Sequence, residues 1–239
     1  MIIQSKHNEK YKAWLKLKQP KGRKAAGLFI VEGEHLVEEA LKAQWACLLV
    51  FKEGFEYPST IEHYSVSADL FDALCTTVSK DTILAICKPK QTTKRARHIL
   101  VCDDIQDPGN LGTMLRTAYS FGFDSVYCSK NCVDVYNEKV IRASQGALFY
   151  LDIELEITSA DLSEMKQDGY AVYATGFDQS RPLLDFTKTD KLAIILGNEG
   201  QGVRQEWLDL SDAIIRIETS AFNSLNVGIA TGILLHHFR

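Results

Sequence analysis

The chain has 239 residues, 46% hydrophobic and 24% charged, enough apolar material for one large domain or two modest ones. No apolar run approaches the ~20 residues of a membrane span. The N-terminal stretch MIIQSKHNEKYKAWLK lacks the apolar core and cleavage site of a secretory signal, so a soluble cytoplasmic protein with no membrane partner is expected. The net charge of −4 hides an asymmetry: residues 1–24 carry eight Lys/Arg against Glu9 alone, a local +7 that leaves −11 to the remainder.

Tyr11, Trp14, Leu15 and Leu17, set among lysines, predict an amphipathic helix over 5–18. Strands are expected at 28–31, 48–51 and 82–87, and helices at 34–43 and 68–75. These make a small α/β domain over residues 1–90. Residues 88–97 hold a proline, many polar neighbours and no acid, the composition of a basic linker. Beyond it, strands at 98–104, 125–128, 170–174, 191–196 and 213–217 alternate with helices at 111–121, 138–143, 162–167, 204–210 and 225–238. Such alternation predicts an α/β domain over 98–239, with a mostly parallel sheet covered by helices on both faces. Ligands on such sheets bind beyond the carboxyl ends of the strands.

The six cysteines lie mostly in apolar runs and read as small core residues of a reduced protein. Cys128 and Cys132 have no second Cys/His pair at finger spacing, so no metal is expected. Basic clusters at both ends of the first domain favour RNA as a partner. Lys16, Lys18, Lys21, Arg23 and Lys24 are the candidate contacts.

Three polar clusters fall at predicted strand ends. In residues 103–118, DDIQDPGNLGTMLRTA, Asp107-Pro108-Gly109 forms a turn and Asn110 suits the cap of the next helix. Arg116 follows nearly two turns later, and its side chain leans back toward Asn110. The glycine spacing does not match a phosphate-binding loop. In residues 194–202, IILGNEGQG, an apolar strand runs into three glycines around Glu199; glycine permits positive φ and a close approach to a flat ligand. In residues 217–227, IETSAFNSLNV, Ser224 and Asn226 are both good helix caps.

Asn110 with Arg116-Thr117-Ala118, Ile195-Leu196-Gly197-Asn198-Glu199-Gly200 and Ser224-Leu225-Asn226-Val227 resemble the three ordered motifs of the SpoU/TrmH-type RNA ribose methyltransferases of the SPOUT superfamily. Ser144-x-Gly146-Ala147-x-Phe149 resembles a further segment of that family. The match covers about residues 98–239. The front half, especially Ser5-Lys6-His7-Asn8 and residues 27–33, GLFIVEG, is similar to the ribosomal-protein-like substrate-binding domain often fused ahead of it. Two departures stand out. Ile217-Glu218-Thr219 replaces the common Ile-Pro-Met, and Asn223 stands where a Glu often precedes the motif's Ser.

The resemblance implies a trefoil knot in the C-terminal domain, a homodimer, and S-adenosylmethionine as cofactor. The cofactor would be held near Thr175, Gly176, Leu196, Gly197, Asn198, Gly200, Ile217, Leu225 and Asn226. It implies transfer of a methyl group to a ribose 2′-hydroxyl of rRNA or tRNA, with large-subunit rRNA favoured by analogy. Arg116 would hold a substrate phosphate and polarise the hydroxyl, in a site completed by the other subunit. Asn110 would orient the nucleotide, and Glu199 would position Arg116 or the cofactor-side loop. Ser224 and Asn226 would hold the active-site loop. Two other classes compete: a non-catalytic RNA-binding or assembly protein retaining the fold, and a nucleotide-dependent oxidoreductase, against which stands the lack of a G-x-G-x-x-G turn.

Overall fold

The computed structural model describes residues 2–76, 81–90, 96–220 and 225–239. In chain order its elements are β1 (Ile2–Ile3), α1 (Glu9–Lys16), α2 (Pro20–Ala26), β2 (Phe29–Glu32), α3 (Glu34–Lys42), β3 (Ala46–Lys52), β4 (Glu62–Val66), α4 (Ala68–Leu74) and β5 (Ile83–Cys87). There follow β6 (His98–Cys102), α5 (Pro108–Ser120), β7 (Ser125–Ser129), α6 (Glu138–Ser144), β8 (Asp152–Ile157), α7 (Ser159–Gln167), β9 (Ala171–Thr175), β10 (Arg181–Pro182), β11 (Leu192–Leu196), α8 (Gln205–Leu210), β12 (Ala213–Arg216) and α9 (Val227–Phe238). The chain divides into two compact units, Met1–Lys90 with Tyr136–Phe149, and Gln91–Val135 with Tyr150–Arg239. Among the described residues, no helix is long and apolar enough to cross a membrane.

The first unit is built on one mixed sheet, ordered β1-β4-β3-β5-β2. Strands β1, β4 and β3 run parallel, while β5 is antiparallel to both β3 and β2. One apolar cluster joins Tyr11, Trp14 and Leu17 to Phe71 and Leu74 of α4 and to Val50, Val66, Leu84 and Ile86 of the sheet. Helix α3 buries Leu36, Val37 and Ala40 and contacts β2, β3 and β5. The segment 136–149 packs in this unit although it follows β7 in sequence. The reason is aromatic: Phe29 stacks on Tyr136 at 4.6 Å, and Trp45 meets Phe149 edge-on at 5.6 Å.

The basic N-terminal segment is more differentiated than its sequence predicts. Asn8 caps α1 by accepting the amides of Lys10 and Tyr11. Helix α2 follows after a sharp turn, with Pro20 in its first turn and Gly27 in the left-handed conformation at its end. Gly22 is required there, because a Cβ would lie 1.9 Å from the Lys16 carbonyl oxygen. Two of the five candidate RNA contacts have structural tasks. Arg23 is only 6% exposed, and its Nη1 donates to the carbonyls of Leu17 (3.0 Å) and Lys18 (3.3 Å), which lie at the end of α1. Lys18 Nζ donates to the carbonyls of Ala73 and Cys75 at the end of α4. Both cations satisfy helix C-terminal carbonyls and complement the helix dipole. Burial removes Arg23 from the candidate RNA contacts. Lys16, Lys21 and Lys24 are exposed.

The second unit is a seven-stranded sheet, β10-β12-β9-β11-β6-β7-β8, in which every pairing is parallel. Ile99, Val101, Val172, Ala174, Ala193 and Ile195 form one core with Leu162 and Met165 of α7 and Trp207 of α8. The intervening residues Leu100, Ile194 and Leu196 are buried as well, which requires cover on both faces of the sheet. Helix α5 packs on β7 and on α9. Cys102 and Cys128 are fully buried cross-strand neighbours; their mutual hydrogen bond, with burial, raises the Cys128 thiol above its ordinary value, while at Cys102 that bond pulls the thiol down and burial, with the neighbouring Cys132 and Asp103, outweighs it. The edge strand β8 escaped the sequence reading although Ile153, Leu155 and Ile157 alternate with acids; in the fold only Ile157 of these is buried, and residues 154–156 are exposed.

Candidate active site

All pairings in the second sheet being parallel, the carboxyl ends of β6, β9, β11 and β12 open on one side, where the loops after them meet. The loops after β9, β11 and β12, with the start of α9, line a cavity of about 1130 Å³. Thr175, Gly176, Leu196, Gly197, Asn198, Gly200, Ile217, Leu225 and Asn226 all line it, so nine residues from four separate stretches meet at one cavity.

The loop after β11 is shaped by glycine and one asparagine. A Cβ on Gly197 would lie 2.1 Å from the Gly202 carbonyl carbon and 2.1 Å from the Val203 nitrogen, so only glycine allows the loop to fold back on the strand end. Asn198 and Gly202 then pair as an antiparallel bridge. The Asn198 side chain accepts the amides of Gly200 (2.9 Å) and Gln201 (3.0 Å) and donates to the Asp104 carbonyl (2.8 Å).

The helix α5 starts one turn earlier than the sequence predicts. Asp107 is its N-cap, accepting the Asn110 amide at 2.8 Å, and Pro108 presets the first turn. Asn110 is therefore inside the helix rather than its cap, and its side chain is free for other work. Its Nδ2 donates to Glu199 Oε1 (3.0 Å), and its Oδ1 accepts from Asn226 Nδ2 (2.9 Å). Asn226 Oδ1 caps α9 through the amides of Gly228 and Ile229. Glu199 also faces the amides of Gln106 and Asp107, both at 3.4 Å. Burial pushes the Glu199 carboxyl up, but the hydrogen bonds from Asn110, its own loop backbone, Asp107 and Gln106 together hold it below its ordinary value. Glu199 thus joins the loop after β11 to the start of α5; its carboxylate contacts are with Asn110 and that backbone, not with Arg116.

Arg116 lies on the exposed face of α5 and makes no side-chain hydrogen bond or ion pair among the described residues. Ser224 lies outside the described residues. The sequence reading missed Asp103, Asp104 and Arg204. Asp103 is 1% exposed, and its carboxylate takes the backbone amide (2.9 Å), Nε (2.8 Å) and Nη2 of Arg204. Two acids directly after an apolar strand were the only local signal; their partner is about a hundred residues away. No group of three His, Cys, Asp or Glu able to hold a metal occurs among the described residues.

The cavity suits a ligand with a cationic and an apolar part. Asp178 and Asp209 line it beside apolar Leu196, Ile215 and Leu225, while a third lining acid, Asp212, is paired with Lys166. Among the described residues its one lining cation, Arg216, is occupied by Glu218 and the Ser180 carbonyl. The size is ample for a nucleoside-sized molecule.

The chain is 36% identical to the 23S rRNA (guanosine(2553)-2′-O)-methyltransferase RlmP of Bacillus subtilis over 99% of its own length and 98% of that protein. It superposes on an rRNA methyltransferase of Sinorhizobium meliloti with a TM-score of 0.90 at 24% identity, covering 100% and 97% of the two chains. An RNA 2′-O ribose methyltransferase superposes with a TM-score of 0.81 at 28% identity, covering 99% and 97%. Residues 8–92 match the MRM3-like substrate binding domain. Residues 97–236 match the SpoU rRNA Methylase family, and the chain belongs to that family.

Proposed function

We propose that the protein is a cytoplasmic enzyme that transfers a methyl group from S-adenosylmethionine to a ribose 2′-hydroxyl of large-subunit rRNA. The observation that carries this reading is the cavity at the carboxyl edge of the parallel sheet, whose wall is tied through Glu199 and Asn226 to Asn110. The choice of large-subunit rRNA follows the named substrate of the Bacillus subtilis relative. When bound, S-adenosylmethionine supplies an electrophilic methyl on a positively charged sulfur. Backbone near Thr175-Gly176, Leu196-Gly197, Ile217 and Leu225-Asn226 would hold it.

The protein's own work is alignment and proton management. In-line attack demands that the hydroxyl oxygen be held on the methyl's axis, and such positioning accounts for a large part of the barrier reduction. Arg116 is the exposed cation of α5. A guanidinium stays protonated at neutral pH, so its role is to grip a phosphate next to the target ribose and polarise the hydroxyl. Asn110 has its carbonyl and one N–H engaged within the subunit, so it braces the site rather than orienting the nucleotide alone.

The reading includes a homodimer in which Arg116 of one protomer serves the cavity of its partner. Ile229 (58% exposed) and Ile233 (38%) present apolar surface on α9 that a second copy would cover. The trefoil knot implied by the family motifs belongs to the same proposal, as do the division into a substrate-binding domain over 1–90 and a methyltransferase domain over 98–239. The test is transfer of labelled methyl to large-subunit rRNA lacking its natural modifications, with the product mapped for 2′-O-methylation. A protein that binds the RNA and the cofactor but transfers nothing is an assembly factor.

A further inference from the structure

We propose that Arg204 is a positioning residue for the cavity. By clamping Asp103 and Asp104 it fixes the backbone from Asn198 to Val203 and, through that backbone, the Glu199–Asn110–Asn226 chain. The inference rests on the reading of the cavity as the S-adenosylmethionine site.

The loop has little else to place it. It is closed on itself by the Asn198–Gly202 bridge, and its residues from Glu199 to Gly202 are exposed. Its register against β6 is set by polar anchors. Asn198 Nδ2 reaches the Asp104 carbonyl at one end of the loop. Arg204 grips both acids at the other, with Nη2 also 2.7 Å from Asp104 Oδ1. A carboxylate as buried as Asp103 has no water to solvate it and depends on this fork. The guanidinium is fixed from the opposite side by the Trp207 ring, 4.5 Å from its centre. Asp104 is itself held by Ser129 Oγ and Asn131 Nδ2, so the clamp is anchored to the end of β7 rather than to a free loop. Between the anchors, Glu199 meets the amides of Gln106 and Asp107 at 3.4 Å, the long limit of a hydrogen bond. A shift of a few tenths of an ångström in the loop breaks those two hydrogen bonds first. Arg204 does not line the cavity, although its neighbours Val203 and Gln205 do. It acts through the backbone it holds.

The competing view is that Arg204 only staples α8 to the sheet. Arg204→Lys keeps the charge but loses the planar fork, and Asp103→Asn keeps the size but loses the charge. Asp161→Asn serves as the control: it weakens the capping box of α7 in the same unit and does not touch the cavity. Each full-length variant is read by melting temperature, by calorimetric affinity for S-adenosylmethionine, by KM and kcat for methyl transfer, and by amide exchange over residues 198–203. Positioning predicts faster exchange in that loop, cofactor affinity weakened about tenfold to a hundredfold and a lower kcat in the Arg204 and Asp103 variants at temperatures where they are folded. Asp161→Asn melts earlier with loop exchange and affinity unchanged. Unaltered exchange and affinity in folded Arg204→Lys and Asp103→Asn overturn the inference. A wild-type protein that binds no S-adenosylmethionine overturns the cofactor reading instead, and loop exchange still decides the role of Arg204.

Discussion

Asn110 and Asn226 face each other across the start of two helices, with Asn226 Nδ2 donating to Asn110 Oδ1 over 2.9 Å. The orientation of both amides is forced. An ionised Glu199 can only accept, so Asn110 must turn its Nδ2 toward it and its Oδ1 away. The α9 amides can only donate, so Asn226 must give them its Oδ1 and present its Nδ2 to Asn110. Because the three side chains act as a unit, Asn110→Ala and Glu199→Ala should not add. A double-mutant cycle on cofactor affinity should show a coupling of about 1 kcal/mol, modest because Glu199 is exposed to water. Additive losses would mean that the two residues work independently.

The carboxyls of Asp104 and Glu199 titrate below their ordinary values. At Asp104 burial pushes the carboxyl up, but hydrogen bonds from Ser129, Asn131 and Arg204, with the Arg204 charge, outweigh it. A depressed carboxyl favours the ionised folded state. Its contribution is complete above the unfolded value of about 4 and is lost as pH falls through the lower folded value. Melting temperature should therefore fall more steeply below about pH 4 in the wild type than in Asp104→Asn, and the gap between them should narrow with acid. Parallel curves from pH 7 to pH 3 would show that the hydrogen bonds of Asp104 add nothing to stability.

The cavity wall was legible because its chemistry is local: glycines after an apolar strand and an Asn before a helix announce themselves within a few residues. The Asp103–Arg204 clamp was not, since each partner alone reads as an ordinary strand-end acid or surface cation, and only the fold brings them together. The same holds for Arg23. A basic run looks uniform in sequence, but the turn at Gln19 sends one of its cations back onto the carbonyls of the helix before it. Helix α2 was missed because it carries no bulky apolar periodicity, and β4 because Glu62 and His63 are exposed.

That differentiation makes the basic segment testable residue by residue. Lys16→Gln with Lys21→Gln should weaken RNA binding and flatten its salt dependence at an unchanged melting temperature. The log–log slope should drop by about 0.7–0.9 for each phosphate that is no longer neutralised. Arg23→Gln should do the reverse, lowering the melting temperature by uncapping α1 while leaving the salt slope intact. Filter binding across a salt series, run beside thermal melts, separates the two. A salt slope untouched by the double lysine change would show that this face is merely solvated.

Arg116 offers the sharpest test of the chemistry. It is exposed and unpaired among the described residues, so its removal leaves no orphaned partner and should cost little stability. If it grips phosphate and polarises the hydroxyl, Arg116→Ala should lose about 3–4 kcal/mol of transition-state stabilisation, roughly a hundred- to a thousandfold in rate. Cofactor affinity should barely move, because the interaction is made with RNA. Arg116→Lys should recover only part of the loss, since an ammonium cannot reproduce the planar bidentate grip on phosphate. Mixing the Ala variant with a second variant crippled in the cavity, such as Gly197→Ala, tests the proposed sharing of the site between protomers. Each is nearly inactive alone; a mixed dimer with the site completed across its interface has one intact cavity served by one intact Arg116, and activity should reappear on mixing. Single-turnover methylation at saturating cofactor measures both effects. Full activity in Arg116→Ala alone would exclude the residue from the reaction, and no recovery on mixing exchanging protomers would place Arg116 and the cavity it serves in the same subunit.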